Sequence, residues 1–212
     1  MPNPRSGEKQ GCARGDVRVR RKRSNVFSLF RRSSNKAVID RLHGEIMAGV
    51  RQPAFFIEYG VADTVEGRFE LLCLLGTIAV KRIEVIDGLG PQIAQELTDS
   101  FFTHFDVALR EMGVGDLTVP KKIKKMAQGW LGRGAAYRAA IAQDDAQALA
   151  VAIARNVYGD EGRAADAGPK RLARYALAQD RAFANLTIED ATRGPLKYLD
   201  AENVLAQQSG AA

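Results

Sequence analysis

The stretch Phe69–Val80, FELLCLLGTIAV, is apolar on nearly every face of a helix and is bounded by Arg68 and Lys81. It falls short of the ~20 residues needed to span a bilayer, so it has to be covered by other parts of the chain. That requirement predicts a central, most buried helix. Two-residue alternation is almost absent elsewhere, and helical stripes are joined by short Gly or Pro breaks. The fold expected is all-α: a compact helical bundle of six or seven helices with a disordered basic N-terminal tail.

The stripes give the elements. Val38, Ile39, Leu42, Ile46 and Val50 recur at helical spacing after Asn35, a candidate N-cap, and end near Gln52 before Pro53. Thr64 is the cap expected for the central helix, with Gly67 as a point of close packing. Gly88 and Gly90 break the chain and Pro91 opens a helix whose stripe, Ile93, Leu97, Phe101, Phe105, Ala108, Leu109 and Met112, reads as core. Gly113 follows that helix, and a new one starts after Thr118, with Pro120 in its first turn. On it Ile123, Met126, Ala127, Trp130, Gly134, Tyr137 and Ile141 share one face, opposite Lys121, Lys124 and Lys125. An alanine-rich helix, Ala146 to Tyr158, and a last amphipathic one, Lys170 to Leu186, flank a flexible loop over Gly159 to Pro169. The domain plan is a tail over 1–34, a helical domain over 35–190 and a loose tail over 191–212.

Of 212 residues, 46% are apolar, enough for a real core in one domain plus tails. The net charge of +6 is uneven. Residues 1–36 hold eleven Lys or Arg against two acids, or +9, which leaves −3 for the rest. That argues against a globular surface built for nucleic acid and moves the question to the tail and the lysine run. RVRRKR, Arg18 to Arg23, has the charge to bind RNA or anionic lipid. Phe27 to Arg32 combines apolar and cationic residues suited to weak contact with a membrane interface.

Cys12 and Cys73 give no disulfide framework and no metal spacing, in keeping with a reducing compartment. His43 and His104 read as structural. No P-loop, nucleophile elbow or ligand cluster is present, and the Gly-rich stretches do not follow a strand, so no catalytic function, cofactor or metal is expected. A deep polar pocket holding Asp106, Glu111 or His104 would reopen that question.

Lys121, Lys122, Lys124 and Lys125 stand at a helix N-terminus, where the macrodipole disfavours cations. They are either a solvated face or a patch for phosphate or a carboxylate-rich partner. Phe55, Phe56 and Tyr59 form an aromatic knot, either packed or, if exposed, a partner site.

Four stretches resemble the ubiquinol-cytochrome c chaperone family, the bacterial relatives of mitochondrial assembly factors for the cytochrome bc1 complex. They are DTVEGRFELL (Asp63 to Leu72), LREMGVGDL (Leu109 to Leu117), KKIKKMAQGWLGR (Lys121 to Arg133) and ARNVYG (Ala154 to Gly159). Leu131 departs from the pattern, since the family usually has an aromatic pair before the Gly-Arg. The resemblance implies an all-α, non-catalytic chaperone without an ATP site, acting on cytochrome b during its synthesis and haem acquisition. In mitochondria the family works near the ribosome with a small partner subunit. For this chain it implies a cytoplasmic protein associated with the inner membrane and, because members of the family begin close to a segment like Phe27 to Arg32, an alternative start at Val26 that would leave residues 1–25 untranslated. The competing expectation is a helical RNA- or ribosome-binding protein using the basic tail and lysines. The candidate partner-binding residues are Lys121, Lys122, Lys124, Lys125, Arg133, Arg110, Asp116, Phe55 and Phe56.

Overall fold

The computed structural model describes the backbone of residues 26–210 and the side chains of residues 35–208. The basic tail, the question of initiation at Val26 and the side chains of Phe27 to Arg32 lie outside the described residues. Six long helices make the bundle: α1 (Val26–Val50), α3 (Val65–Glu84), α4 (Gly90–Glu111), α5 (Val119–Ala142), α6 (Ala146–Val157) and α7 (Ala167–Ala182). Short helices α2 (Pro53–Ile57), α8 (Ile188–Thr192) and α9 (Ala201–Gly210) join or close it, and a 3₁₀ turn, Glu161–Ala165, precedes α7. Among the described residues there is no strand, and no helix is long and apolar enough to cross a membrane.

The apolar run is the centre, as its composition requires. α3 packs against α1, α4, α5, α6 and α7, and every residue from Glu70 to Val80 is buried. Thr64 caps it by accepting the Gly67 N–H at 3.0 Å, and a Cβ at Gly67 would strike the Ala62 carbonyl. The cations bounding the run on its C-terminal side are not solvated ends. Lys81 and Arg82 both reach Asp180 on α7, a carboxylate only 5% exposed. A lone buried charge would be costly, and two cations on one carboxylate remove that cost.

Three boundaries differ from the sequence expectation. α1 starts at Val26, so Asn35 is not a cap; its Nδ2 donates instead to Glu96 Oε1 on α4 at 3.4 Å. The segment Gly159 to Pro169 is built rather than loose: Asp160 accepts the Gly162 N–H at 2.8 Å, and Ala164 and Pro169 are buried.

The third is the C-terminal segment, expected to be a loose tail. Leu196 is 3% exposed and Ala201 fully buried. The Leu199 N–H donates to Gln179 Oε1 at 2.7 Å, the Ala201 N–H to Gln52 Oε1 at 2.8 Å and the Leu196 N–H to Glu45 Oε2 at 2.9 Å. Tyr59 and Tyr175 hydroxyls donate to the carbonyls of Ala201 and Leu199, each at 2.8 Å. Tyr198 lies on Gly49, where a Cβ would sit 2.6 Å from its ring, and donates to the Leu75 carbonyl at 3.0 Å. Side chains from α1, α7 and the links on either side of α2 satisfy a backbone that is not helical, which leaves no periodic signature in the strap itself.

Candidate partner-binding surface

The docked face of α5 forms as the helical projection predicts. Trp130 is 7% exposed and lies over Gly76 of α3, where a Cβ would meet the indole at 2.8 Å. Phe101 packs against the indole with ring centroids 5.4 Å apart. Leu131, the position where the family usually has a second aromatic, is 70% exposed, so the departure there leaves the packing untouched. Thr118 stands at the N-cap position, but its side chain makes no cap bond. Val119, fully buried, anchors this end of the helix instead.

α5 carries six cations and no acid, and the structure sorts them into two kinds. Arg133 forks onto Glu70 of α3, with Nη2 2.6 Å from Oε1 and Nε on Oε2, and its guanidinium lies 5.8 Å from the Phe69 ring centroid. Burial raises the Glu70 carboxyl above its usual range, against the opposing pull of Arg133. Arg138 pairs with Glu84 at 2.6 Å. These arginines fasten α5 to α3. Lys121, Lys122, Lys124 and Lys125 are exposed and form no ion pair among the described residues.

Two other candidates are already engaged. Arg110 binds Asp106 at 2.7 Å and also Asp116, tying the end of α4 to the turn after it. Gly113, at φ +79°, makes that turn, a conformation a side chain would disfavour. Phe55 is corrected outright: it is fully buried, edge-on to Tyr175 at 4.9 Å and to Tyr59 at 5.4 Å, and is core rather than a contact surface. Phe56 is half-buried beneath Arg68, whose guanidinium is 5.6 Å from the ring centroid.

The α4 stripe, expected to be core throughout, is core only in its first half. Ile93, Leu97 and Phe101 are buried, but Phe105, Ala108 and Leu109 are only partly covered and Met112 is 57% exposed. Together with Val65, Phe69 and Leu72 of α3, Met47 of α1 and Met126 of α5, they line an apolar groove of about 250 Å³. Three of the chain's four methionines are here. Unbranched, polarizable thioethers adapt to differently shaped apolar partners. Arg51 and Arg68 lie at the rim. The signal in the sequence was Met112 closing the α4 stripe and Met126 in the first turns of the α5 stripe.

A larger cleft of about 710 Å³, edged by charged and polar side chains, lies between α1 and α4. It brings together both histidines, with ring centroids 5.1 Å apart, beside Asp40, Glu96 and Asp99. Ser100 Oγ lies 2.7 Å from the Leu97 carbonyl, to which its hydroxyl can donate, and 3.0 Å from His43 Nδ1, where donor and acceptor follow the histidine tautomer. Burial, and then the neighbouring His104, lower the His43 pKa. Of the groups that would reopen a catalytic reading, His104 is in this cleft, Asp106 is held by Arg110 and Glu111 is exposed at the end of α4.

Residues 58–198, from the end of α2 to Tyr198 in the strap, match the model of the family described as Ubiquinol-cytochrome C chaperone. The chain belongs to the ubiquinol-cytochrome c chaperone family. The groove's α3, α4 and α5 walls all fall inside the matched region, as do the lysines. The fold is also similar to the crystal structure of the Cbp3 homolog from Brucella abortus, with a TM-score of 0.71 and 35% identity over 84% of this chain and 98% of that one. No curated protein matches.

Proposed function

We propose that this protein is a non-catalytic assembly chaperone of the cytochrome bc1 complex that binds cytochrome b during its biogenesis at the cytoplasmic face of the inner membrane. Membership of the family supports the chaperone role, and the open, methionine-lined groove between α3, α4 and α5 is the observation that carries the mode of action. A holdase needs an apolar surface that its own fold leaves uncovered, and it needs neither nucleotide nor covalent chemistry. An apolar client segment laid on Phe105, Leu109 and Met112 is withdrawn from water until it enters the membrane.

A photo-reactive residue placed at Leu109 in cells tests this. It should cross-link cytochrome b, and Ala108→Arg, which fills the groove from an already half-exposed site, should abolish bc1 assembly with an unchanged melting temperature. Normal assembly in a folded Ala108→Arg protein would sink the groove as the client site.

A further inference from the structure

The corner between α4 and α5 carries a second surface that the groove does not use. Leu117, at the tip of the turn, is 91% exposed. Directly behind Leu117, the first two turns of α5 hold Lys121, Lys122, Lys124 and Lys125, none ion-paired among the described residues. From Leu117 to Gln143 there is no acid in the sequence. The acids just before it are Asp106 and Asp116, which share the single cation of Arg110, and the exposed Glu111, so the corner from Asp106 to Lys125 still carries more cations than acids. The result is an apolar tip with an acid-free ammonium collar, kept at a helix end where the dipole disfavours cations.

We propose that the α4–α5 corner is a docking tip for an anionic phospholipid membrane. Ammonium groups take headgroup phosphates in the plane of the surface, while Leu117 enters the acyl boundary just beyond it. An acidic protein segment would satisfy the lysines as well, but it would leave Leu117 in water. The near-complete exposure of that leucine favours the bilayer.

Vesicle flotation of the full-length protein tests the proposal without any client, so its failure leaves the client reading standing. Vesicles of phosphatidylglycerol in phosphatidylcholine should carry the wild-type protein upward, and pure phosphatidylcholine should not. Binding should weaken as salt rises through ~0.1 M, where charges are screened over about 10 Å. Each lysine at an anionic surface is worth about fivefold in partitioning, so reversing all four to Glu should reduce binding at least about a hundredfold. Leu117→Ser should reduce it several-fold with every charge retained. The four-Gln variant replaces the four-Glu one if the latter loses its helical circular dichroism. Equal binding to neutral and anionic vesicles, or binding that survives both sets of changes, would overturn the proposal. So would failure to float combined with salt-sensitive binding of poly-glutamate, which would assign the lysines to an acidic protein.

Discussion

Gly76 and Trp130 show how narrowly the centre of the bundle is fitted. The indole occupies the volume where a Cβ at residue 76 would stand, 2.8 Å from that position, and Phe101 and Phe102 close around it. Removing the ring by Trp130→Ala should cost about 3–5 kcal/mol, a large share of the stability of a domain this size. Adding one methyl by Gly76→Ala should cost about 1–3 kcal/mol, because α3 and α5 are also pinned by the Arg133–Glu70 pair and cannot simply separate. The two changes act on one volume, so their effects should not add: the double variant should be more stable than the sum of the singles predicts. Urea melts of the four proteins measure this, and strict additivity would mean the helices shift to admit the methyl. Trp130 was legible from the 3.6-residue period alone. Its partner was not, since a glycine inside a helix reads the same whether it faces solvent or an indole.

At the level of elements, periodicity located the long helices because each buries a stripe, and it missed whatever is held by other means. The strap from Leu196 to Ala201 is the clearest case: its order comes from Gln52, Gln179 and Glu45 bonding to its backbone, and those side chains lie on α1, α7 and the link to α2. A loose tail would be dispensable. The bonded strap predicts the reverse: ending the chain after Gly194 should abolish cooperative melting, since it uncovers the buried faces of Tyr59 and Tyr175 together with four or more hydrogen bonds worth about 1 kcal/mol each. Tyr198→Ala should cost roughly 3 kcal/mol by the same logic. A truncated protein with an unchanged melting curve would show that the strap rides on a core that does not need it.

For the whole molecule, the groove was hidden for a physical reason: a stripe reports which face of α4 is apolar, not whether a neighbour reaches it. Phe105, Leu109 and Met112 continue the core pattern of Ile93, Leu97 and Phe101 past the point where other helices cover them. Of the charged candidates, Arg133, Arg110 and Asp116 spend themselves within the fold, and only the four lysines remain for a partner. Groove and lysine collar share the first half of α5, since Met126 lines one and Lys125 ends the other. A client embedded in the membrane and a protein docked on that membrane meet at a raised effective concentration, with no further contact required. The two attractions differ in kind, so salt should separate them. In native membranes, cross-linking of cytochrome b at Leu109 should fall as salt rises, because the docking step is screened. After solubilisation in neutral detergent the same cross-link should be insensitive to salt and to reversal of the four lysines, because apolar burial carries it alone. Equal salt sensitivity in detergent would mean that the lysines contact the client itself, and the division between an apolar client groove and a lipid-facing corner would fail.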